Sequence, residues 1–467
     1  GPAIITQPQS QTVVVGEPVT FVVNATSDFP TLQYQWLKNG VPISNATGSS
    51  YTITETAESD TGYYSVLVSN NLSTTPSRQA YLGVGSGTFS LLHYNIKGAF
   101  VSDFSTNSAQ VQAIGRQLAH LQPDIITLNE MPHGQTWQIT NIVKQYLPGY
   151  FWATNSGTDG TIRSVILSRW RVSRSQKWLD GSNLAAFGHE GTFTRDLFEA
   201  EIEVPGFLQP LHVFTTHLKS GSDLTSATRR AAEASAISNY FVNGFLTTNG
   251  SRPYILTGDL NEDINRPRAN EQQAVQRIRN SATGIQLTTP LNPFTGDDRT
   301  FSIQSLPLAH RYDYILPSSS LSSHIATSQV FRTSVISPLP SGLNANDDSV
   351  ASDHLPVYIE FNNPFNVPPI LIAQPADVTV ALGSTATFSV EASSAVPATY
   401  LWLKNGDALS NGGNISGVST PTLTVSSVGQ LDAAVYSVVV SNQFGAVTSQ
   451  GAALNIAVPP SFISQPT

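Results

Sequence analysis

The chain has 467 residues, with 23 Lys and Arg against 32 Asp and Glu and a formal net charge of −9 at pH 7. That length exceeds what one hydrophobic core supports, so about two to four domains are expected. With no cysteine, disulfides, thiolate zinc sites and cysteine nucleophiles are excluded, and no apolar run approaches the roughly 20 residues that a membrane-spanning helix needs.

In chain order, Gly1-Pro2 reads as the remnant of a protease cleavage, which leaves room for an export signal already removed. Ile4-Ile5-Thr6-Gln7-Pro8 then leads into Gly16-Glu17-Pro18-Val19-Thr20-Phe21. Tyr34-Gln35-Trp36-Leu37-Lys38-Asn39-Gly40 follows, and then Asp60-Thr61-Gly62-Tyr63-Tyr64-Ser65-Val66. The alternation in Thr20 to Val23 and in Tyr64 to Val68 predicts half-buried strands. Gly83 to Gly87 is expected to be a linker.

The middle of the chain alternates strands and helices. Leu91 to Ile96 reads as a strand, and Ser108 to Leu121 puts Val111, Ile114, Leu118 and Leu121 on one helical face. Asp124 to Asn129 reads as a buried strand, and Val165 to Ser168 as another. Phe198, Ala200, Ile202 and Val204 alternate with Glu199, Glu201 and Glu203, which predicts a strand with one wet face. Further strands are expected at Leu211 to Thr216, Tyr254 to Thr257, Tyr312 to Leu316 and Pro356 to Phe361, with an Ala-rich helix from Thr225 to Leu246. Two packed sheets covered by helices are the natural arrangement. Pro364 to Pro369 then reads as a second linker.

The opening pattern returns afterwards. Ile372-Ala373-Gln374-Pro375, Gly383 to Phe388, Leu401-Trp402-Leu403-Lys404-Asn405-Gly406 and Asp432 to Val438 repeat it step by step. Pro459 to Pro466 starts it a third time. This pattern resembles immunoglobulin-like domains, which implies a core Trp on the third strand (Trp36, Trp402) and a tyrosine corner opening the sixth. The disulfide positions of that family would fall at Val23 with Val66 and at Val390 with Val438, where apolar contacts replace the bridge.

In the middle segment nearly every strand ends in a carboxylate, amide or imidazole: Asn95, Glu130, His217, Asp259 with Asn261, and Asp353 with His354. One such ending is an ordinary turn. Several, each after an apolar run, predict strands converging on one polar cleft. Carboxylates and an amide without thiolates suit a hard cation: Mg²⁺ or Mn²⁺, with Ca²⁺ also compatible. Residues 88–363 hold 20 of the 23 Lys and Arg together with 23 Asp and Glu, so this segment still sums to −3 and does not call for a broad duplex-binding face.

Asn95 in His-Tyr-Asn-Ile, Glu130 in Leu-Asn-Glu-Met, His217 in Thr-His-Leu-Lys, Gly258-Asp259-Leu260-Asn261, Tyr312-Asp313-Tyr314 and Ser352-Asp353-His354-Leu355-Pro356 together resemble the endonuclease/exonuclease/phosphatase superfamily, which includes DNase I-like nucleases. The resemblance implies a four-layer αββα sandwich over 88–363, between all-β immunoglobulin-like sandwiches at 1–85 and 369–457, with 458–467 opening a further repeat. It implies metal ligation by Glu130, Asn95 and Asp353. Catalytic roles fall to Asp259, Asn261, His354, His217 and Asp313, with either Asp259 or His354 as general base and His354 polarised by Asp313. The acidic residue that DNase I-like members place beside the first histidine falls near Ile162, so His217 needs another orienting group. Arg163 and Lys219 are the candidate substrate-binding cations, whereas His93 and His310 are expected to flank the cleft without chemistry.

The expected activity is metal-dependent hydrolysis of phosphodiesters, nucleic acid among them. A phosphomonoesterase and a non-catalytic adhesion protein are the alternatives. A monomer is expected, in a secreted or cell-surface bacterial protein whose immunoglobulin-like domains contact a surface or a polysaccharide.

Overall fold

The computed structural model describes residues 1–28, 31–85, 87–155, 159–250, 252–305, 307–394 and 396–457. The expected start of a further repeat at 458–467 lies outside the described residues. The chain divides into two compact units, Gly1–Pro364 and Phe365–Thr467.

The first unit opens with a β-sandwich. Strands Gln11–Val14, Ala80–Gly85, Gly62–Ser69, Gln33–Lys38 and Val41–Pro42 form one sheet, and Val19–Val22 pairs with Ser50–Ile53 opposite it. Alternate residues point inward, so Phe21, Trp36, Tyr64 and Val66 share the core with Val23. The Trp36 indole donates to Gly48 O at 3.0 Å, and the Tyr64 hydroxyl donates to Asp60 O at 2.9 Å. Both polar tips are therefore satisfied at the edge of an apolar core.

Residues Gly83 to Gly85 depart from the linker reading. They belong to the strand Ala80–Gly85, which is buried throughout. A Cβ on Gly85 would come within 2.8 Å of the Pro205 ring, so glycine permits a close approach to the following domain. The Trp170 indole donates to Val84 O at 3.4 Å across that junction. Ser86 is outside the described residues.

Among the described residues the central domain contains eleven strands: β1 (Thr88–Asn95), β2 (Ile125–Pro132), β3 (Phe151–Thr154), β4 (Ile162–Ser168), β5 (Val172–Trp178), β6 (Leu197–Ile202), β7 (Leu211–His217), β8 (Tyr254–Asp259), β9 (Asp313–Pro317), β10 (Ile325–Val330) and β11 (Val357–Asn362). One sheet runs β3-β4-β2-β1-β11-β10 and the other β5-β6-β7-β8-β9. Leu91, Ile125, Ile166, Phe198, Val213, Ile255 and Ile315 fill the space between the sheets. Their neighbours Leu92, Ile126 and Leu167 face the other way, onto α1 (Ala109–Leu121) and α2 (Ile139–Tyr146). Phe214, Leu256 and Leu316 cover α3 (Leu224–Tyr240) on the far side. The period of two along each strand thus builds the four-layer αββα sandwich.

Helix starts follow their caps. Ser108 Oγ accepts from Val111 N ahead of α1, and Asp223 accepts from Ser226 N ahead of α3. The Ala-rich helix expected from Thr225 to Leu246 departs from a plain α-helix, because α3 gives way to a π-turn at Phe241–Phe245. That turn puts Phe241 and Phe245 against Tyr254. The wet face expected on β6 is also partly dry. Glu199 is buried and accepts from the Trp178 indole at 2.7 Å, with His212 Nδ1 at 2.6 Å.

The second unit repeats the immunoglobulin-like core. Trp402, Phe388, Tyr436, Val438 and Val390 cluster together. The Trp402 indole donates to Thr420 O at 3.0 Å, and the Tyr436 hydroxyl donates to Asp432 O at 2.9 Å. Apolar contact stands where the family has its bridge in both modules. Among the described residues no helix is long and apolar enough to cross a membrane.

Candidate active site

Strand register gathers the polar ends. β7 and β8 run parallel with His217 opposite Asp259, and β8 and β9 run antiparallel with Asp259 opposite Asp313. Three polar side chains therefore stand in a row across the end of one sheet. In the other sheet β1 and β2 run parallel with Asn95 opposite Asn129. β2 then loses register between Leu128 and Met131, and Glu130 takes a left-handed φ of 63°. Such an irregularity re-aims a side chain, and here it turns Glu130 toward Asp259. Asn129 ties the two sheets together. Its amide donates to Ser164 Oγ at 3.1 Å and Thr215 Oγ1 at 3.2 Å, and its oxygen accepts from Asp259 N at 3.0 Å.

Glycines set two close approaches. A Cβ on Gly258 would lie 2.2 Å from Thr216 O, and one on Gly98 would lie 2.1 Å from Glu130 O. The loop from Lys97 to Phe100 consequently presses against the end of β2. Lys97 and Phe100 both have left-handed φ, at 48° and 63°.

Asn95 is held at three points. Its Nδ2 donates to Glu130 Oε1 at 3.0 Å and to Asp259 Oδ2 at 2.9 Å, while its Oδ1 accepts from Lys97 N at 3.0 Å. The amide oxygen expected to face a metal thus binds the backbone, and Asn95 positions the two carboxylates. Asp259 Oδ1 accepts from Asn261 N at 2.9 Å, and the Asn261 amide donates to Leu218 O at 3.2 Å. His354 Nδ1 donates to Asp313 Oδ2 at 2.7 Å, and its Nε2 lies 3.6 Å from Asp259 Oδ2. Thr300 Oγ1 also donates to Asp313 Oδ2, at 2.6 Å, and His93 Nε2 lies 3.4 Å from Asp313 Oδ1. His93, expected to flank the cleft without chemistry, thus lies beside the Asp313 carboxylate.

The electrostatics follow from burial and pairing. Burial opposes a charge on His354, but Asp313 and Asp259 outweigh it and raise its pKa to about 10. Burial also opposes the Asp313 charge, yet His354 holds its carboxyl well below the usual range. Asp259 is raised to about 7, chiefly by burial, with Asp313 and Glu130 adding to the effect. Burial, then the charges of Arg195 and His354, push His217 well below its ordinary value. Among the described residues no side chain replaces the missing acidic partner of His217: its Nδ1 is buried without a hydrogen-bond partner, and Nε2 lies 3.5 Å from Asp259 Oδ2 and 3.9 Å from Glu130 Oε1.

Donor atoms of Glu130, His217 and Asp259 lie within 4.8 Å of one another. Among the described residues no Lys or Arg pairs with the Glu130 or Asp259 carboxylate; their nearest ion-pairing groups are imidazoles. Two carboxylates side by side, with imidazoles and no Lys or Arg as their ion-pairing neighbours, fit a divalent cation held by oxygen. Asp353 stands apart from that cluster, paired instead with Lys97 Nζ at 3.3 Å.

A recess of about 420 Å³ contains Glu130, His217, Asp259, Asn261, Asp353 and His354 in its walls. Lys97, Phe100, Arg268, Phe301 and Tyr312 complete its rim. Arg163 lines a smaller neighbouring recess with Glu130 and His217, its Nε donating to His133 Nδ1 at 3.1 Å. Lys219 is not among the lining residues; its backbone N–H donates to Glu233 Oε2 at 2.8 Å. The rim residues were missed by sequence reasoning because nothing in their spacing separates them from turn and core residues. Only the position of Lys97, two residues past Asn95, offered a signal.

A family model described as the Endonuclease/Exonuclease/phosphatase family matches residues 92–354, and one described as an immunoglobulin domain matches residues 2–70 and 368–442. The chain belongs to the endonuclease/exonuclease/phosphatase family, and its central part is a phosphoester hydrolase domain flanked by immunoglobulin-like domains. Among solved structures it is similar to ANGEL2, described as a 2',3'-cyclic phosphatase in complex with adenosine-2',3'-vanadate. The identity is 15% over 59% of this chain and 95% of that one, with a TM-score of 0.38. It is also similar to the titin M3 domain, at 26% identity over 19% of this chain and 97% of that one, with a TM-score of 0.18.

Proposed function

We propose that the central domain hydrolyses phosphodiesters, in nucleic acid or in small molecules, with Mg²⁺ or Mn²⁺ as cofactor. The observation that carries this reading is the arrangement of charge in the recess. Glu130 and Asp259 present carboxylates that no Lys or Arg pairs with among the described residues, and beside them His354, its Nε2 3.6 Å from Asp259, is held cationic chiefly by Asp313.

Glu130 is the principal residue to hold the cation, with the Asp259 carboxylate beside it. When bound, a divalent cation supplies Lewis acidity and charge neutralisation at a phosphoryl oxygen. The chain's own groups do the rest. His354 donates a proton-bearing Nε2 to a phosphoryl oxygen and stabilises the charge that builds there. Asp259 accepts a proton from water and prepares it for in-line attack. Neutral His217 donates a hydrogen bond to the phosphate or leaving oxygen, and the Asn261 amide does the same from the same recess. Phe100, Phe301 and Tyr312 at the mouth offer apolar surface to an ester substituent, which favours a diester over a monoester.

The test compares initial rates on bis(p-nitrophenyl) phosphate and p-nitrophenyl phosphate with Mn²⁺ present. A higher kcat/KM on the diester supports this reading. A higher value on the monoester replaces it with a phosphomonoesterase.

A further inference from the structure

We infer that Lys97 is the cation that receives the substrate phosphate, and that Asp353 is its counter-charge and not a metal ligand. This rests on the phosphoester reading of the recess. Lys97 Nζ lies 3.3 Å from Asp353 Oδ2 and 2.6 Å from Gln304 Oε1. Gln304 is itself fixed, because its Nε2 donates to Ser349 O at 2.9 Å. The backbone of Lys97 is anchored on Asn95 Oδ1 at 3.0 Å, and Gly98 lets the loop close onto Glu130 O. The ammonium is thereby held at the wall that Glu130, Asp259 and His354 share.

The other cations near the site are engaged with fixed groups. Arg268 donates to Glu271 Oε1 at 2.6 Å and Asn261 O at 2.8 Å, and its guanidinium lies 5.3 Å from the Tyr312 ring centroid. Arg195 donates to Asp159 Oδ2 at 2.9 Å and His217 O at 3.0 Å. Arg163 donates to His133 Nδ1 and Asn155 O. The Lys97 pair differs because it is open to water: the side chains of Lys97 and Asp353 are 43% and 26% exposed. An exposed ion pair is weak and exchangeable, so a phosphate oxygen can take the place of the Asp353 carboxylate. Asp353 in turn faces Lys97 Nζ at 3.3 Å and, on its other oxygen, His354 Nε2 at 4.0 Å. It belongs to none of the metal-capable clusters among the described residues.

Binding measurements on the full chain test this without turnover. Protein stripped with EDTA is titrated with Mn²⁺ alone, the free ion being followed by electron paramagnetic resonance. Inorganic phosphate is then titrated calorimetrically into the Mn²⁺-loaded protein. Asp353→Asn is expected to keep Mn²⁺ affinity within about threefold, whereas Glu130→Gln loses at least about tenfold, as expected on losing a ligand. Lys97→Ala is expected to weaken phosphate at least about tenfold, with Lys97→Arg retaining it within about threefold, since a charge-assisted hydrogen bond is lost in one and kept in the other. An Asp353→Asn protein that loses Mn²⁺ as severely as Glu130→Gln makes Asp353 a ligand and overturns the assignment. A Lys97→Ala protein with unchanged phosphate affinity overturns it equally. Since neither readout depends on hydrolysis, a protein that passes both and cleaves no ester refutes the hydrolase reading alone.

Discussion

Replacing Asp313 with Asn removes one charge from the centre of the site and keeps its shape. Asp313 is fully buried, between His354 Nδ1 at 2.7 Å, Thr300 Oγ1 at 2.6 Å and His93 Nε2 at 3.4 Å. In the native protein the His354 pKa stands at about 10 against burial, which alone lowers it. Without Asp313 it is expected to fall by at least about two units, toward an unperturbed value of about 6.5. The stability effect has a definite sign. A histidine whose folded pKa is raised stabilises fully below its unfolded pKa, about 6.5, and that contribution is lost as pH rises through the folded value. For His354 the window of loss runs from there to about pH 10. At pH 7 the variant is expected to be less stable by about 3 kcal/mol, the low end for removing one partner of a buried pair, because Asp259 at 3.6 Å retains part of the attraction. Histidine ring NMR titration and urea unfolding, both on EDTA-stripped protein, measure the two quantities. A His354 titration within about half a unit of native, a difference worth under about 1 kcal/mol, together with an unchanged unfolding midpoint, would refute this account of the charge pair.

Other outcomes follow from the same geometry. Asn129→Ala breaks the link between the sheets and leaves Asp259 N without its acceptor; a loss of about 1–3 kcal/mol is expected in urea unfolding, with kcat falling more than KM rises. Phe100, 91% exposed, carries no folding load, so Phe100→Ala should change stability by no more than about 0.5 kcal/mol yet raise KM for an aromatic diester. Trp402→Ala empties the centre of the C-terminal module, and calorimetry should show that module destabilised by about 3–5 kcal/mol. Tyr436→Phe removes only the bond to Asp432 O and should cost about 1 kcal/mol.

Much of the architecture was legible because period-two and period-3.6 patterns dictate which faces are buried. Val111, Ile114 and Leu118 sit on the core face of α1 as their spacing requires. Trp36 and Trp402 lie at the centres of their sandwiches. The strand-end residues converge because register aligns His217, Asp259 and Asp313, and register is set between strands, so no single run of residues reveals it. The same reason hid the burial of Glu199, whose partner His212 comes from the next strand, and the continuity of Gly83 to Gly85 with a strand. The π-turn after α3 was also hidden, since it answers to packing against Tyr254. Thr300, which donates to Asp313, and His93 beside it carry no signature beyond ordinary strand and loop composition. Lys219, a candidate substrate cation from the sequence, does not line the recess, whereas Lys97, which no motif singled out, does.

The most direct test of the central claim is hydrolysis of bis(p-nitrophenyl) phosphate after EDTA treatment, and again after Mg²⁺ or Mn²⁺ is restored, for the native protein and Glu130→Ala. Glu130 has a partly solvated side chain, so the variant is expected to fold. The account predicts activity abolished by EDTA, recovered with metal in the native protein, and not recovered in Glu130→Ala. Cleavage that persists in EDTA, or that Glu130→Ala retains at the native rate, would contradict it.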